Sequence, residues 1–436
     1  MKEFFVSVRK YALVPVVLVL ALVALGAFAL FTPSRAVQAF PAPPSPLTDW
    51  IIAVGTTGTV SLVDTATDII YPAVITSGLG SPGGGLFEIV VVPNSNLALI
   101  SNFLDATVYF VDFTDRLSPT IVTSVTLGFL AEDIAVTRDG RTALVTDGGN
   151  QPYIGVIDVP SRSLAYTVTL SNACAITVDI APDGTVIVAD YYGGNLQALY
   201  PDASGVLTQT GSYSYMLTTD GTPVLVGRSG APGSAAISPL GTTDVITNRV
   251  CPVNIAVAPD GQTVFMADAC NYTRPEPQLL YAVGICRIVA PGVLSFTTVI
   301  TNLARSTQSI AFSADGTLAY LSQNGGVDQE GNRLPHALTV IEIVAPGEVR
   351  LVEESAAEYP RFVSTQLFGV DTIAVARGKA YIGNPGFFEG TADLYVVNLD
   401  EYSVKRLDMP GISGGVAVLS PFRMYVPLVS AVSEVD

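Results

Sequence analysis

Residues 255–268 read I-A-V-A-P-D-G-Q-T-V-F-M-A-D, and the reading of that stretch decides the fold. An apolar run of four meets Pro-Asp-Gly, and a second apolar run leads away to an aspartate. Proline presets φ for a type I turn, aspartate bonds the backbone beyond it, and glycine accepts a left-handed conformation, so the stretch predicts a β-hairpin. The unit recurs. Residues 134–147 read I-A-V-T-R-D-G-R-T-A-L-V-T-D, 178–190 read V-D-I-A-P-D-G-T-V-I-V-A-D, and 310–322 read I-A-F-S-A-D-G-T-L-A-Y-L-S. Weaker copies lie at 89–102, 373–384 and 416–429. A supersecondary unit repeated in this way means a solenoid, a propeller or an array.

The spacing selects among these. With turn markers at Asn94, Asp139, Asp183, Asp260, Asp315, Gly378 and Pro421, the intervals are 45, 44, 77, 55, 63 and 43 residues. Periods in the forties with four strands per unit are those of propeller blades. Runs at 107–112 and 153–159 fit third strands, and the alternating runs at 121–127 and 164–170 fit half-exposed fourth strands. I-V-A-P-G ends two later third strands, at 288–292 and 343–347, offset by the same 55 residues as their turns. The 77-residue interval holds an extra hairpin at 213–226 and a Gly/Ser/Pro-rich stretch, which predicts an insertion on one rim at about 205–248. The expected class is all-β: a seven-bladed β-propeller of four-stranded antiparallel blades over 49–430, closed by pairing N- and C-terminal strands, with 431–436 as a tail. Closure removes two exposed sheet edges. Both 423–429 and 50–54 read as second strands, and only one can take that place.

Charged residues make up 14% of the 436, with 39 Gly and 29 Pro, which suits short strands and tight turns. The net charge is −17, and −20 without residues 1–39; such a surface repels phosphate backbones and argues against nucleic-acid binding. Lys2, Arg9 and Lys10 precede an uncharged run at 11–31, followed by small residues at 37–39. That is the pattern of a secretory signal, and its length also meets that of a membrane anchor. Either reading exports the rest of the chain, so the expected location is secreted or cell-surface, with membrane contact only through an uncleaved segment. Residues 40–48 read as a Pro-rich linker.

Four cysteines in an exported chain favour disulfides. Pairing Cys174 with Cys251 and Cys270 with Cys286 uses every thiol. Pairing Cys251 with Cys270 across one hairpin is the alternative.

Residues 143–147 (A-L-V-T-D) with 155–158 (G-V-I-D), 97–102 with 108–112, and 50–55 with 59–65 resemble the YVTN family of β-propeller repeats found in exported and surface-layer proteins. The resemblance runs over roughly residues 50–430. It implies seven blades around a central channel, in a family that ranges from structural surface proteins to lactonase-like enzymes. No motif of a catalytic relative matches residue by residue, so it implies no catalytic residue here.

The chain has one histidine, His336, in a polar stretch that predicts a surface loop. There is no haem-attachment motif, nucleophile elbow or P-loop, and Trp50 is the single tryptophan. No cofactor is expected. Aligned repeats place Glu88, Asp133, Thr177, Asn254, Ser309, Thr372 and Gly415 at one position just before the inner strand, with Glu132 and Asp371 one residue earlier. That position opens at a channel mouth, where carboxylates and hydroxyls suit a polar ligand or cap strand ends. A second ring, Asn102, Asp147, Asp190, Asp268 and Asn384, ends the second strands and is expected to bond the following turns. Asn271-Tyr272-Thr273 matches a glycosylation acceptor, and Tyr191, Tyr192, Tyr213 and Tyr215 suit a rim for protein or glycan contact. The functional expectation is a binding or surface scaffold for a protein, glycan or small polar ligand. Its rival is a lactonase-like hydrolase using the carboxylate ring.

Overall fold

The β-branched runs form strands, and Asp-Gly turns fold each pair back on itself. In the hairpin at 255–268, Gly261 takes φ +71° and donates its N–H to the carbonyl of Ala258 at 2.8 Å, while Asp260 accepts from the amides of Gln262 and Thr263. The computed structural model describes residues 49–55, 58–80, 85–149, 151–170, 175–191, 194–217, 223–228, 251–273, 279–324, 334–359, 372–383, 392–409 and 413–420. They form seven antiparallel sheets, each a meander from an inner to an outer strand. The inner strands, in ring order, are Ser413–Leu419 in blade 1, Leu86–Val91 in blade 2, Ala131–Val136 in blade 3, Ala175–Ile180 in blade 4, Pro252–Val257 in blade 5, Ser306–Phe312 in blade 6 and Thr372–Ala376 in blade 7. Each inner strand neighbours the next, and that of blade 7 neighbours that of blade 1, so the ring closes. The fold is a seven-bladed β-propeller.

Blade 1 is the closure. Trp50–Gly55, Thr59–Asp64 and Ile69–Ile75 come from the N-terminal side, and Ser413–Leu419 pairs with Trp50–Gly55 as the inner strand. Trp50–Gly55 therefore takes the second-strand place, and residues 423–429 lie outside the described residues. A clasp reinforces the junction with blade 7: Lys379 Nζ donates to Asp68 Oδ1 at 2.7 Å and to the Thr65 carbonyl at 3.2 Å, and Tyr381 Oη donates to Asp68 at 3.2 Å. Burial and the Asp68 carboxylate push the Tyr381 phenol up.

Among the described residues the core divides into seven apolar clusters, each straddling one junction between adjacent blades. Blades are thus stacked face to face, and no blade owns a core of its own. Hydroxyl groups strap neighbours together. Thr185 Oγ1 accepts from the Gly292 amide at 2.8 Å and Thr210 Oγ1 donates to the Gly292 carbonyl at 2.6 Å. Thr263 and Thr297 hold Gly347 at the same two distances. The repeated I-V-A-P-G thus docks each third-strand end on the preceding blade.

The extra hairpin forms as expected, with Pro223–Arg228 pairing with Leu207–Leu217 as a fifth strand at the outer edge of blade 4, and residues 229–248 of the expected insertion lie outside the described residues. Two expectations need correction. His336 is buried at the start of strand His336–Ala345, its ring 5.6 Å from that of Tyr359, which stacks on Tyr395 at 5.4 Å. Cys286 is a free, fully buried thiol in the blade 4–blade 5 cluster, so it does not pair with Cys270. Cys174 lies outside the described residues. No helix among those described is long and apolar enough to cross a membrane, and residues 11–31 lie outside them.

Candidate functional site

One irregularity builds the site. Inner and second strands lose register at the same place in six of the seven blades. In blade 3, Ala131 faces Asp147 and Ile134 faces Val145, so Glu132 and Asp133 together face Thr146. In blade 2, Phe87 and Glu88 face Ser101 in the same manner. A β-bulge turns consecutive side chains toward one side and re-aims them, here at the start of each inner strand beside the channel. Ile176, Val253 and Gln308 are the extra residues in blades 4 to 6, and Gly414 and Gly415 oppose Val54 in blade 1. Blade 7 pairs regularly from Thr372 onward. In blades 1 to 6 the ring position seen in the repeats falls in or directly beside the bulge, Asn254 and Ser309 following the extra residue, whereas Thr372 begins the inner strand of blade 7 without one; Asp371 lies outside the described residues.

The bulges are tied across blades. Ser101 Oγ accepts from the Glu88 amide at 2.9 Å and donates to the Glu132 carbonyl of the next blade at 2.6 Å. Thr146 Oγ1 repeats this between the Asp133 amide and the Ile176 carbonyl, at 3.1 and 3.2 Å. Gly415 must be glycine, since a Cβ there would lie 2.9 Å from the Ile89 nitrogen and 3.0 Å from Glu88 Cα.

The structure brings Glu88, Glu132 and Asp133 together and adds Asp179. Asp133 accepts from the amide of Ile134 at 2.8 Å and, in blade 4, from Thr177 Oγ1 at 2.6 Å and the Val178 amide at 2.8 Å. Asp179 repeats the arrangement one blade on, with the Ile180 and Val257 amides both at 2.7 Å. Glu88 accepts from the Ile89 amide at 2.9 Å. These carboxylates staple inner strands together. Glu132 has no side-chain hydrogen-bond partner among the described residues, although its Oε2 lies beside Gly148.

Burial and mutual repulsion raise the group. Burial first, then the charges of Asp133 and Asp147, push the Glu132 carboxyl up to about 8. Burial and Asp133 push Glu88 up to about 8, against the lowering effect of the Ile89 amide. Burial raises Asp133 despite its three donors and raises Asp179 to about 6. No lysine or arginine among the described residues acts on any of the four. Burial and like charge thus favour the neutral forms of Glu88 and Glu132 near pH 7, and a neutral Glu132 carboxyl can donate a hydrogen bond.

The second ring lies at the same end, because Asn102, Asp147, Asp190 and Asp268 face the first residues of the inner strands. Asn102 Oδ1 accepts from the Asp105 amide at 3.1 Å, Asp147 Oδ1 from Gly149 at 2.7 Å and Asp190 Oδ2 from Asn195 Nδ2 at 3.1 Å, all in the following turn. Asp268 instead reaches back to the Cys251 amide at 2.9 Å. Asn384 is outside the described residues. No three His, Cys, Asp or Glu side chains among those described are placed to hold a metal ion.

Asp179 is not singled out by the repeats. It stands where blades 3, 5, 6 and 7 carry Ala135, Ala256, Ala311 and Ala374, and a carboxylate inside an otherwise small apolar position is the available signal.

No family profile matches the sequence, and no curated protein matches it either. Solved structures do. A functionally unknown protein from Desulfotomaculum acetoxidans aligns with TM-score 0.62 and 17% identity, over 86% of this chain and 99% of that one. The periplasmic gluconolactonase of Pseudomonas aeruginosa aligns with TM-score 0.58 and 14% identity, over 86% and 99%. A Bacteroides fragilis protein provisionally assigned as a 6-phosphogluconolactonase gives 0.58 and 11%, over 87% and 100%. At these identities the likeness is one of fold alone.

Proposed function

We propose that the chain is an exported propeller of the YVTN-repeat type that binds a small polar ligand at the bulged mouth of its channel. The observation that carries the reading is the contrast between Glu132 and its neighbours. Glu88, Asp133 and Asp179 spend carboxyl oxygens on backbone amides of the inner strands. Glu132 spends none on the described residues, and burial and like charge favour its neutral form near pH 7. A perturbed carboxyl that does no stapling, at the end of a propeller channel, is a candidate ligand contact. Export is supported by the basic flank and apolar run at the N-terminus.

A second reading, lactone hydrolysis, is favoured by the same carboxyl and by the likeness to a gluconolactonase. There water would add to the carbonyl carbon, the acyl C–O bond to the ring oxygen would break as Glu132 gives that oxygen its proton, and the Glu132 carboxylate would take up the proton that water loses, giving the open hydroxy acid. Binding ranks first because the chain's one histidine is buried in blade 6 and three of the four mouth carboxyls are tied to backbone. Calorimetry with small polyols and pH-stat assay of glucono-1,5-lactone above its spontaneous rate, for wild type, Glu132→Gln and Glu132→Ala, separate the two. Loss of binding in Glu132→Ala without any hydrolysis in wild type supports the module, and hydrolysis lost in Glu132→Gln supports the enzyme. A folded Glu132→Ala protein unchanged in both sinks the mouth as the site.

A further inference from the structure

The mouth beside Glu132 has an apolar wall. Phe87 occupies in blade 2 the bulge position that Glu132 occupies in blade 3. Its ring centroid lies 6.3 Å from that of Phe103, the residue after Asn102. Phe103 and Glu132 converge on Gly148: a Cβ there would sit 2.5 Å from Phe103 Cε2 and 2.6 Å from Glu132 Oε2. Leu130 flanks Gly149 in the same way at 3.3 Å. Phe87, Phe103 and Leu130 are half-buried, and Leu104 beside them is 61% exposed. Two aromatic side chains thus stand partly open to solvent next to a carboxyl that hydrogen-bonds to none of the described residues.

The chemistry narrows the occupant. Half-open aromatic faces take the apolar C–H faces of ring compounds, and a neighbouring polar group fixes their orientation. Asp133 and Asp147 lie beside Glu132, and no described lysine or arginine offsets them, so a phosphate group brought here meets like charge. Asp147 Oδ2 is sealed from solvent and meets no hydrogen-bond partner within normal distance among the described residues, so it offers no contact for a ligand.

We propose that the Phe87–Phe103–Glu132 corner takes a neutral, unphosphorylated polyhydroxy ring, one face against Phe103 and one oxygen at the Glu132 carboxyl. This deepens the reading of the mouth as a ligand site and rests on it. Gly148 is then a positioning residue, its missing side chain leaving room for Phe103 and Glu132 to meet.

Saturation-transfer NMR and calorimetry on the full chain at pH 6.5 test it, with a panel of neutral pyranoses, glucono-1,5-lactone and glucose 6-phosphate as probes. A neutral ring should bind about tenfold or more tighter than the 6-phosphate. Phe103→Leu keeps bulk but removes the aromatic face, and should weaken binding about fivefold or more with the melting temperature nearly unchanged. Gly148→Ala, whose Cβ meets only side-chain tips, should weaken it at least as much. Equal or tighter binding of the phosphate, no binding of any neutral ring, or indifference to both variants each overturn the proposal. A phosphate preference that vanishes in Glu132→Gln would retain the mouth and discard the neutral ring. Binding untouched by all three variants would discard the mouth as well.

Discussion

Replacing Glu132 by glutamine removes an ionisable group without changing its shape, and the effect on stability follows from the direction of its shift. The folded carboxyl is raised from 4.5 to about 8. Between those values the folded state holds a proton that the unfolded chain has released, so stability is greatest below pH 4.5 and declines as pH rises through 8. A displacement of that size corresponds to about 5 kcal/mol at full ionisation. The side chain is half-buried at a channel mouth, and solvent screening reduces the figure to roughly 2–3 kcal/mol. With unfolding entropy of about 2 cal/mol/K per residue, ~380 residues convert this to about 3 °C. Glu132→Gln should therefore melt with wild type at pH 5 and about 3 °C above it at pH 9. Glu88 and Asp133 titrate in both proteins, so the difference between the two melting curves reports Glu132 together with its repulsion of Asp133. Parallel curves across the range, or a variant less stable at every pH, would refute the claim that burial and like charge raise this group.

Asp179→Asn should do the opposite: its Nδ2 would face the Val257 or Ile180 amide in place of an acceptor, lowering stability at pH 7.5 by about 1–3 kcal/mol in thermal melts. Thr146→Val keeps the shape of a fully buried side chain but leaves the Asp133 amide and the Ile176 carbonyl without their strap, and should cost about 1–3 kcal/mol in urea unfolding. Asp68→Ala opens the clasp on Lys379 and Tyr381, and protease cleavage near blade 1 should accelerate before the global melting temperature falls by more than a few degrees.

The fold is largely written in local chemistry. Asp-Gly turns, β-branched runs and a period in the forties are properties of short windows, and a propeller repeats one window around an axis. Even the strap is legible in retrospect, since Ser101 and Thr146 are the hydroxyl residues of the Y-V-T-N-like strands. The fifth strand of blade 4 is hard to place from sequence because alternation predicts a hairpin without saying which sheet edge receives it. His336 reads as surface because the polar residues before it describe the approach to a strand, while its burial depends on Tyr359, a residue distant in sequence. At the mouth, Glu88, Glu132 and Asp133 are visible as a shared repeat position. Which of them staples strands and which does not depends on amides from the next blade, and no window contains both. The Phe87–Phe103 wall is hidden for the same reason, since one residue sits in a bulge and the other follows a strand end.

The composite blade sets a timetable. Trp50–Gly55 is made early in synthesis, and the strand that covers its inner edge follows roughly 350 residues later. Until then the edge is an open template for pairing with another chain. A chain that crosses a membrane before folding would finish transit before the ring could lock, and a truncation short of Ser413 would leave every copy with the same unpaired edge. Loss of the C-terminal strand should therefore appear first as aggregation, with all six other blades still encoded intact.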